Sequence, residues 1–517
     1  MSRWRRRLDQ EPDREPLLPL VPGPLSNGEF VPAPPSARDE QVRRAALRRA
    51  GEAADRLGMD RRRFLQTSGG VAAVLATYNL AACSGGSDGA APTTTSSTST
   101  TAGGTFVVPE PEETAACESV LGSQGELIVD VHTHHVVPDG PWRHDAARIV
   151  SMIRGLVPAG CTEDDPFRCL DRTAYLHDMF LASDTTVTLL SDVPGSGPDD
   201  YPLPWAAKQD TRTLAGELSL GGAPRVYLHD VIAPNFGDLA ARLADMEATV
   251  ATGQVSAFKV YTAWGPGRRG FSLDDPAIGL PVIDKARSLG VKVICAHKGL
   301  PLMEFDRTHN GPADLVAAAA QYPDVQFVVY HGAYERETTE QAYDPGRAQV
   351  GINSLVKALD DHGLPPNGNV WAELGTTWRE TLGSPTEAAH VLGKLLSRVG
   401  EDRVLWGTDA IWYGSPQPQI MAFRAFQISA ELQERHGYPA LTDELKRKVL
   451  GGNAVRLLGI DAEAVRCGLD TDRLTAARAE HASLVTEGAI TPWQPRGPIT
   501  RREVMGWLAS ARTPWVP

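Results

Sequence analysis

The stretch Glu126-Leu-Ile-Val-Asp-Val-His-Thr-His134 decides how this chain folds. Its β-branched, apolar residues read as a strand, and on a strand residues two apart face the same side. His132 and His134 therefore aim two imidazoles at one point where the strand ends, an arrangement that grips a divalent metal. A His-x-His pair arises often by chance, so its meaning depends on the rest of the chain.

Four later strand-like runs end in matching groups. Val-Lys-Val-Ile-Cys-Ala-His ends at His297, Val-Gln-Phe-Val-Val-Tyr-His at His331 and Arg-Val-Leu-Trp-Gly-Thr-Asp at Asp409, while Val-Ser-Ala-Phe-Lys-Val-Tyr-Thr carries Lys259. Each is followed by Gly, Pro or polar loop residues. In a parallel barrel the C-terminal ends of all strands meet on one face, where active sites lie. Strands are expected at 127–134, 185–192, 225–231, 255–262, 291–297, 325–331, 369–374 and 403–409. Amphipathic helical stretches fall between them at 236–252, 276–289, 312–321, 354–361 and 386–399. This alternation implies an α/β fold, a (β/α)8 TIM-type barrel. Helices are expected after it at 417–434 and 442–450, and Thr500-Arg-Arg-Glu503 reads as a capping box.

The chain has 517 residues, 42% hydrophobic and 22% charged, which suits one large domain with additions. Its net charge of −13 and lack of a basic stripe argue against a nucleic-acid partner. Six cysteines are too scattered for a disulfide scaffold; Cys161 and Cys169, in the long loop after the first strand, are placed to pair in an oxidising compartment.

The barrel is expected over 125–462, with a C-terminal helical extension at 463–517. Residues 1–58, rich in Arg, Pro and Glu, read as a disordered N-terminal leader with one helix near Arg43–Leu57. Residues 59–83 resemble a twin-arginine export signal: Arg61-Arg62-Arg63-Phe64-Leu65 precedes a weakly apolar run. That run ends in Leu80-Ala81-Ala82-Cys83, similar to a lipoprotein cleavage box, with Cys83 as the lipidated residue. Residues 84–124 begin as a Ser/Thr/Gly linker, read as flexible whether or not a lipid is attached. The resemblance implies the twin-arginine export machinery as a partner, passage across the cytoplasmic membrane, and a lipid anchor at its outer face.

Asp-Val-His-Thr-His at 130–134, His297, His331, Gly-Thr-Asp409 and Gly-Gly-Asn-Ala-Val-Arg-Leu-Leu-Gly at 451–459 together resemble the amidohydrolase superfamily, in its amidohydrolase-related branch of metal-dependent hydrolases. The resemblance implies that His132, His134, His297 and Asp409 bind a metal. It also implies that His331 either binds a second ion or polarises the reacting water. Lys259 is either a carboxylated bridge between two ions or an ammonium facing substrate or a carboxylate. One ion is the expectation, two the alternative. Such a donor set favours Zn2+ and also accommodates Mn2+ or Fe2+.

In that reading Asp409 and His331 are catalytic: Asp409 holds and deprotonates the water and His331 positions it. Tyr261, Trp264, Glu373 and Trp412 are candidates for contact with a small-molecule substrate, and Asp130 for orienting a ligand from beneath. His135 points to the opposite face. The expected activity is hydrolysis of an amide, lactone or related ester. Two alternatives are non-oxidative decarboxylation, with Arg268, Arg269 or Arg307 holding carboxylates, and a non-catalytic ligand-binding surface lipoprotein.

Overall fold

A computed structural model of the chain describes residues 18–26, 31–83, 103–145, 153, 157, 161, 163–195, 200–219, 223–301, 305–469, 473–490, 501, 502 and 505. Among the described residues ten strands run in chain order: β1 Gly104–Phe106, β2 Val129–Thr133, β3 Val187–Leu190, β4 Val226–Ile232, β5 Val255–Val260, β6 Val293–His297, β7 Gln326–Tyr330, β8 Val370–Glu373, β9 Val404–Leu405 and β10 Phe426–Ile428. β2 to β9 form one parallel sheet in sequential order. Backbone bonds from Val131 N to Trp406 O (3.1 Å) and from Asp409 N to His132 O (2.9 Å) join its ends, so the sheet closes. These are the eight strands expected, most of them shorter by a residue or more at one or both ends, with β4 reaching one residue further, to Ile232. They close because every one is followed by a segment long enough to cross back over the outside.

Inside the barrel the strands bury Val129, Val131, Leu189, Cys295, Val328, Tyr330 and Leu405. Outside, helices such as Leu239–Val250, Gly279–Ser288, Ala313–Gln321, Gly351–Asp361 and Pro385–Lys394 pack apolar faces against the sheet. The long loop after β2 carries the disulfide Cys161–Cys169.

Three expectations give way. The helix expected over 417–434 is instead a helix Gln417–Ala425, the strand β10 and a second helix Ala430–His436. β10 pairs antiparallel with β1, Gly104 opposite Ile428 and Phe106 opposite Phe426, and the Phe106 and Phe426 rings lie 5.2 Å apart. The flexible linker accordingly does not extend through 103–124, which holds β1 and a helix Thr114–Leu121; residues 84–102 lie outside the described residues.

In the expected leader, the one helix expected near Arg43–Leu57 is present and begins earlier, so disorder does not describe residues 31–58 either. A helix Ala37–Arg56 starts at a capping box in which Ser36 and Asp39 exchange hydrogen bonds, and it buries Val42, Ala46, Leu47, Ala50, Ala53 and Ala54. The segment resembling an export signal is also folded. The helix Ser68–Cys83 buries Val71, Ala72, Ala73, Val74 and Leu75 completely, and the Tyr78 hydroxyl donates to Leu20 O (2.9 Å). Asn79 bonds both ways with the Phe106 backbone. Among the described residues no helix is long and apolar enough to cross a membrane. The side chain of Cys83 and the capping box expected at 500–503 lie outside the described residues, save Arg501 and Arg502, which are helical.

Candidate metal centre

At the C-terminal mouth of the barrel, alternation along β2 turns His132 and the following His134 the same way. His132 Nε2 lies 3.4 Å and His134 Nε2 3.3 Å from one oxygen, Asp409 Oδ1. His132, His331 and Asp409 offer donor atoms that all lie within 4.8 Å of one another. His297, at the end of β6, presents Nδ1 to His331 Nε2 at 3.2 Å, and its own Nε2 faces Leu300 O at 3.0 Å. Four imidazoles and one carboxylate, all buried, thus enclose a small volume. His331 and Asp409 sit just past their strands with φ of +61°, a left-handed backbone uncommon outside glycine. That local turn brings their side chains inward.

The protonation states suit metal ligation. Burial drives His132 and His297 far below the ordinary imidazole value and takes His331 down to about 4, so all three are neutral near pH 7 with a lone pair available. Burial alone would raise Asp409; the His132, His134 and His331 rings outweigh it and hold the carboxyl well below its usual range. Three neutral imidazoles and an ionised carboxylate converging without a bound cation leave lone pairs facing one another, and a divalent ion is the group that fits such a set.

The candidate ligands are held from behind. Glu373 Oε2 lies 3.2 Å from His132 Nδ1 and accepts from His331 N–H (3.1 Å), while Oε1 accepts from Gly375 N–H. A carboxylate on the far nitrogen of a ligating histidine fixes its tautomer and ring. Glu373 is therefore turned toward the imidazoles from the rear. Asp130 accepts from His132 N–H (3.0 Å), Thr408 N–H (3.2 Å) and the Thr408 hydroxyl, and burial raises it to about 8. It ties β2 to the loop that carries Asp409. His134 Nδ1 faces Ser191 O at 3.3 Å.

The remaining expected site residues divide. Lys259 is buried with Nζ 3.1 Å from the centre of the Tyr330 ring, and that ring lies 4.5 Å from the His132 ring. Its amino group thus rests against an aromatic face at the floor of the site. Tyr261 packs 5.5 Å from the His297 ring and donates its hydroxyl to Asp192 O (2.8 Å); Trp412 stacks on His134 at 5.5 Å. Both are walls of the cluster. Trp264 groups instead with Phe236 (4.4 Å) and Tyr201 (6.3 Å). Arg268, Arg269 and Arg307 are exposed, and Arg307 pairs with Glu337 at 3.3 Å. His135 points away, toward Thr211 Oγ1 at 2.9 Å.

Sequence reasoning missed Thr376, whose hydroxyl donates to Asp409 Oδ2 (2.7 Å), and Phe305, 5.2 Å from the His297 ring. Neither has a motif; only the Gly375 that precedes Thr376 hinted at a tight turn after β8.

Among solved structures the chain is similar to an uncharacterized TIM-barrel protein of Bordetella bronchiseptica, with 14% identity and a TM-score of 0.41 over 64% of this chain and 98% of that one. It is similar to 5-carboxyvanillate decarboxylase of Sphingomonas paucimobilis at 14% identity and a TM-score of 0.42, over 65% and 99% of the two chains. A dihydroxybenzoic acid decarboxylase of Polaromonas sp. JS666, with bound manganese and the inhibitor 2-nitroresorcinol, gives 13% and 0.37 over 66% and 99%. No curated protein sequence matches the chain. Residues 129–460, from β2 to beyond the last ligand, match the family described as Amidohydrolase (Amidohydro_2). That span covers well over half of the sequence, and the chain belongs to the amidohydrolase family.

Proposed function

We propose that the protein is a metal-dependent hydrolase that cleaves an amide, lactone or related ester C–N or C–O bond of a small molecule. The observation that carries this reading is the convergence of the buried His132, His134, His331 and Asp409 side chains on one small volume. His132, His134, His297 and Asp409 are assigned as ligands of one divalent ion, Zn2+ first, with Mn2+ or Fe2+ suiting the same donors. When bound, that ion supplies Lewis acidity and makes a water acidic enough to react near neutral pH.

The chain's own groups do the rest. Asp409, ionised at its Oδ1 edge, takes the proton from the attacking water and returns it to the leaving group. His331, neutral and fixed through Nδ1 by Gly375 O (2.7 Å), points Nε2 into the site to orient the water and steady the developing oxyanion. Lys259 lends positive charge from the floor, and Tyr261 and Trp412 exclude bulk water from the walls.

The test is Asp409→Asn in the purified protein, with metal content and turnover on a panel of amides and lactones in 18O-water. Weaker metal binding, turnover lost even with the metal site saturated, and one solvent oxygen in the wild-type product are expected. Carbon dioxide release without solvent oxygen moves the assignment to decarboxylation, and bound metal with no turnover of any substrate moves it to ligand binding. Purified protein free of stoichiometric divalent metal overturns the proposal.

We also propose export by the twin-arginine machinery to the outer side of the cytoplasmic membrane. The Cys161–Cys169 disulfide supports it, since such bonds persist in oxidising compartments, and Arg61, Arg62 and Arg63 stand exposed ahead of the buried helix. A lipid anchor on Cys83 would come with the loss of residues 1–82, and so of buried Phe64, Val71, Leu75 and Tyr78. The intact mass of the exported protein separates a lipidated short form from a retained long one.

A further inference from the structure

The four-residue turn that ends β8 touches every member of the tightest donor cluster. Glu373 Oε2 lies 3.2 Å from His132 Nδ1, Gly375 O is 2.7 Å from His331 Nδ1, and the Thr376 hydroxyl donates to Asp409 Oδ2 at 2.7 Å. Three ligand-type side chains from three different strands are thus held from behind by one short segment, through two side chains and one carbonyl. The turn is itself pinned: Glu373 accepts from His331 N–H and Gly375 N–H, and the Thr377 hydroxyl donates to His331 O at 2.8 Å.

Its geometry is demanding. A Cβ at position 375 would stand 2.4 Å from His132 Nδ1 and 2.5 Å from Glu373 Oε1, so only glycine fits. Thr376 is fully buried at φ +58°, a left-handed conformation that a β-branched residue adopts only when its surroundings impose it. With that backbone the hydroxyl meets the outer oxygen of Asp409. Oδ2 is then occupied by Thr376, with the Tyr413 hydroxyl 3.4 Å from the same Thr oxygen, and Oδ1 is the edge left to face His132 and His134.

We infer that Thr376 is a positioning residue: its hydroxyl holds Asp409 by Oδ2 so that the carboxylate offers a single oxygen, Oδ1, to the metal. The inference rests on the metal centre proposed above and adds to it the residue that orients its carboxylate. A threonine kept in a strained backbone for packing alone would do as well without its hydroxyl; one kept for the hydroxyl would not.

The experiment compares wild type, Thr376→Val, Thr376→Ala and Thr376→Ser as full-length proteins. Apparent Zn2+ affinity is read by competition with a chromophoric chelator, and the melting temperature of each metal-free protein is recorded alongside. Removing a group that orients a metal ligand costs about 10- to 100-fold in affinity. Thr376→Val and Thr376→Ala are expected to lose affinity in that range, and Thr376→Ser, which keeps the donor, to stay within about threefold of wild type on the same scale. If Val does not fold, the Ala and Ser pair gives the same comparison. Val or Ala binding within threefold of wild type overturns the inference while leaving the metal centre intact. Ser losing as much as Ala overturns it too, because the hydroxyl is then not what matters. A wild-type chain that takes up no Zn2+ overturns both this inference and the function it rests on.

Discussion

The helix Ser68–Cys83 resembles an export signal in sequence and is a core element in the structure, and Leu75→Ala tests which description holds in the mature protein. Leu75 is fully buried, in a helix that sits against β1 and the Phe106 side chain. Truncating a buried leucine to alanine costs about 2–5 kcal/mol, transfer and cavity together. At roughly 2.1 cal/mol/K of unfolding entropy per residue, a cooperative unit of about 400 residues has an unfolding entropy near 0.8 kcal/mol/K, so the melting temperature should fall by about 2–6 °C. Leu80 provides an internal control in the same helix. It is 45% exposed, and Leu80→Ala should change stability by less than about 0.5 kcal/mol. The assay is thermal unfolding of the purified protein at one scan rate, with the intact mass of each sample. A chain whose mass includes residues 68–83 but whose melting point ignores Leu75→Ala would refute the packing argument. A mass that begins at Cys83 would show that the helix is discarded.

Glu373→Gln should keep the fold and weaken metal binding by about 10- to 100-fold, since a carboxylate is replaced by an amide behind His132; chelator competition measures it. Gly375→Ala forces a methyl to within 2.4 Å of His132 Nδ1 and should cost roughly 1–3 kcal/mol in the metal-free protein, read by urea unfolding, with metal affinity falling as well. Cys161→Ser opens a disulfide with a sequence separation of 8, and chain entropy puts the loss at up to about 2.5 kcal/mol. Dithiothreitol should reproduce that loss in the wild type and have no effect on the variant.

A pH-dependent prediction concerns His390, far from the metal centre and beside Tyr438 and His436. Burial first, then repulsion from His436 and Lys394, lower it to about 4. The unfolded chain therefore binds a proton below about pH 6.5 that the native state refuses. This group's contribution is fully present above that pH and drains away as pH falls toward 4. His390→Gln should flatten the acid limb of the urea-unfolding profile by up to one proton, about 1.4 kcal/mol per pH unit. An unchanged limb would show that His390 titrates normally.

The barrel was legible because its strands combine β-branched runs with turn residues at regular intervals, and because a two-residue alternation forces His132 and His134 to one side. His297, His331 and Asp409 could be found because each closes such a run, and Lys259 because it lies near the end of one. The helix Ala37–Arg56 was legible only in its second half, near Arg43–Leu57, for a physical reason. Its buried stripe is built largely of Ala46, Ala50, Ala53 and Ala54, whose small side chains give a faint periodic signal among many arginines. β10 was hidden because a three-residue strand has no period of its own; it exists only where Gly104–Phe106 lies alongside. Glu373 was expected to face substrate and instead faces His132, a distinction set by the turn at Gly375 and by no pattern along β8. Thr376 carries no motif at all, since its partner Asp409 is brought to it only by closure of the sheet.

That closure has a further consequence. The backbone bond from Asp409 N–H to His132 O lies on the line where the first and last staves of the cylinder meet, and the side chains of the same two residues face one cation site. An ion held at that proposed site would rivet the joint from within. Metal uptake must then wait until the eighth stave has been synthesised and docked, and amide exchange along that joint should slow more than anywhere else in the ring once the metal is added.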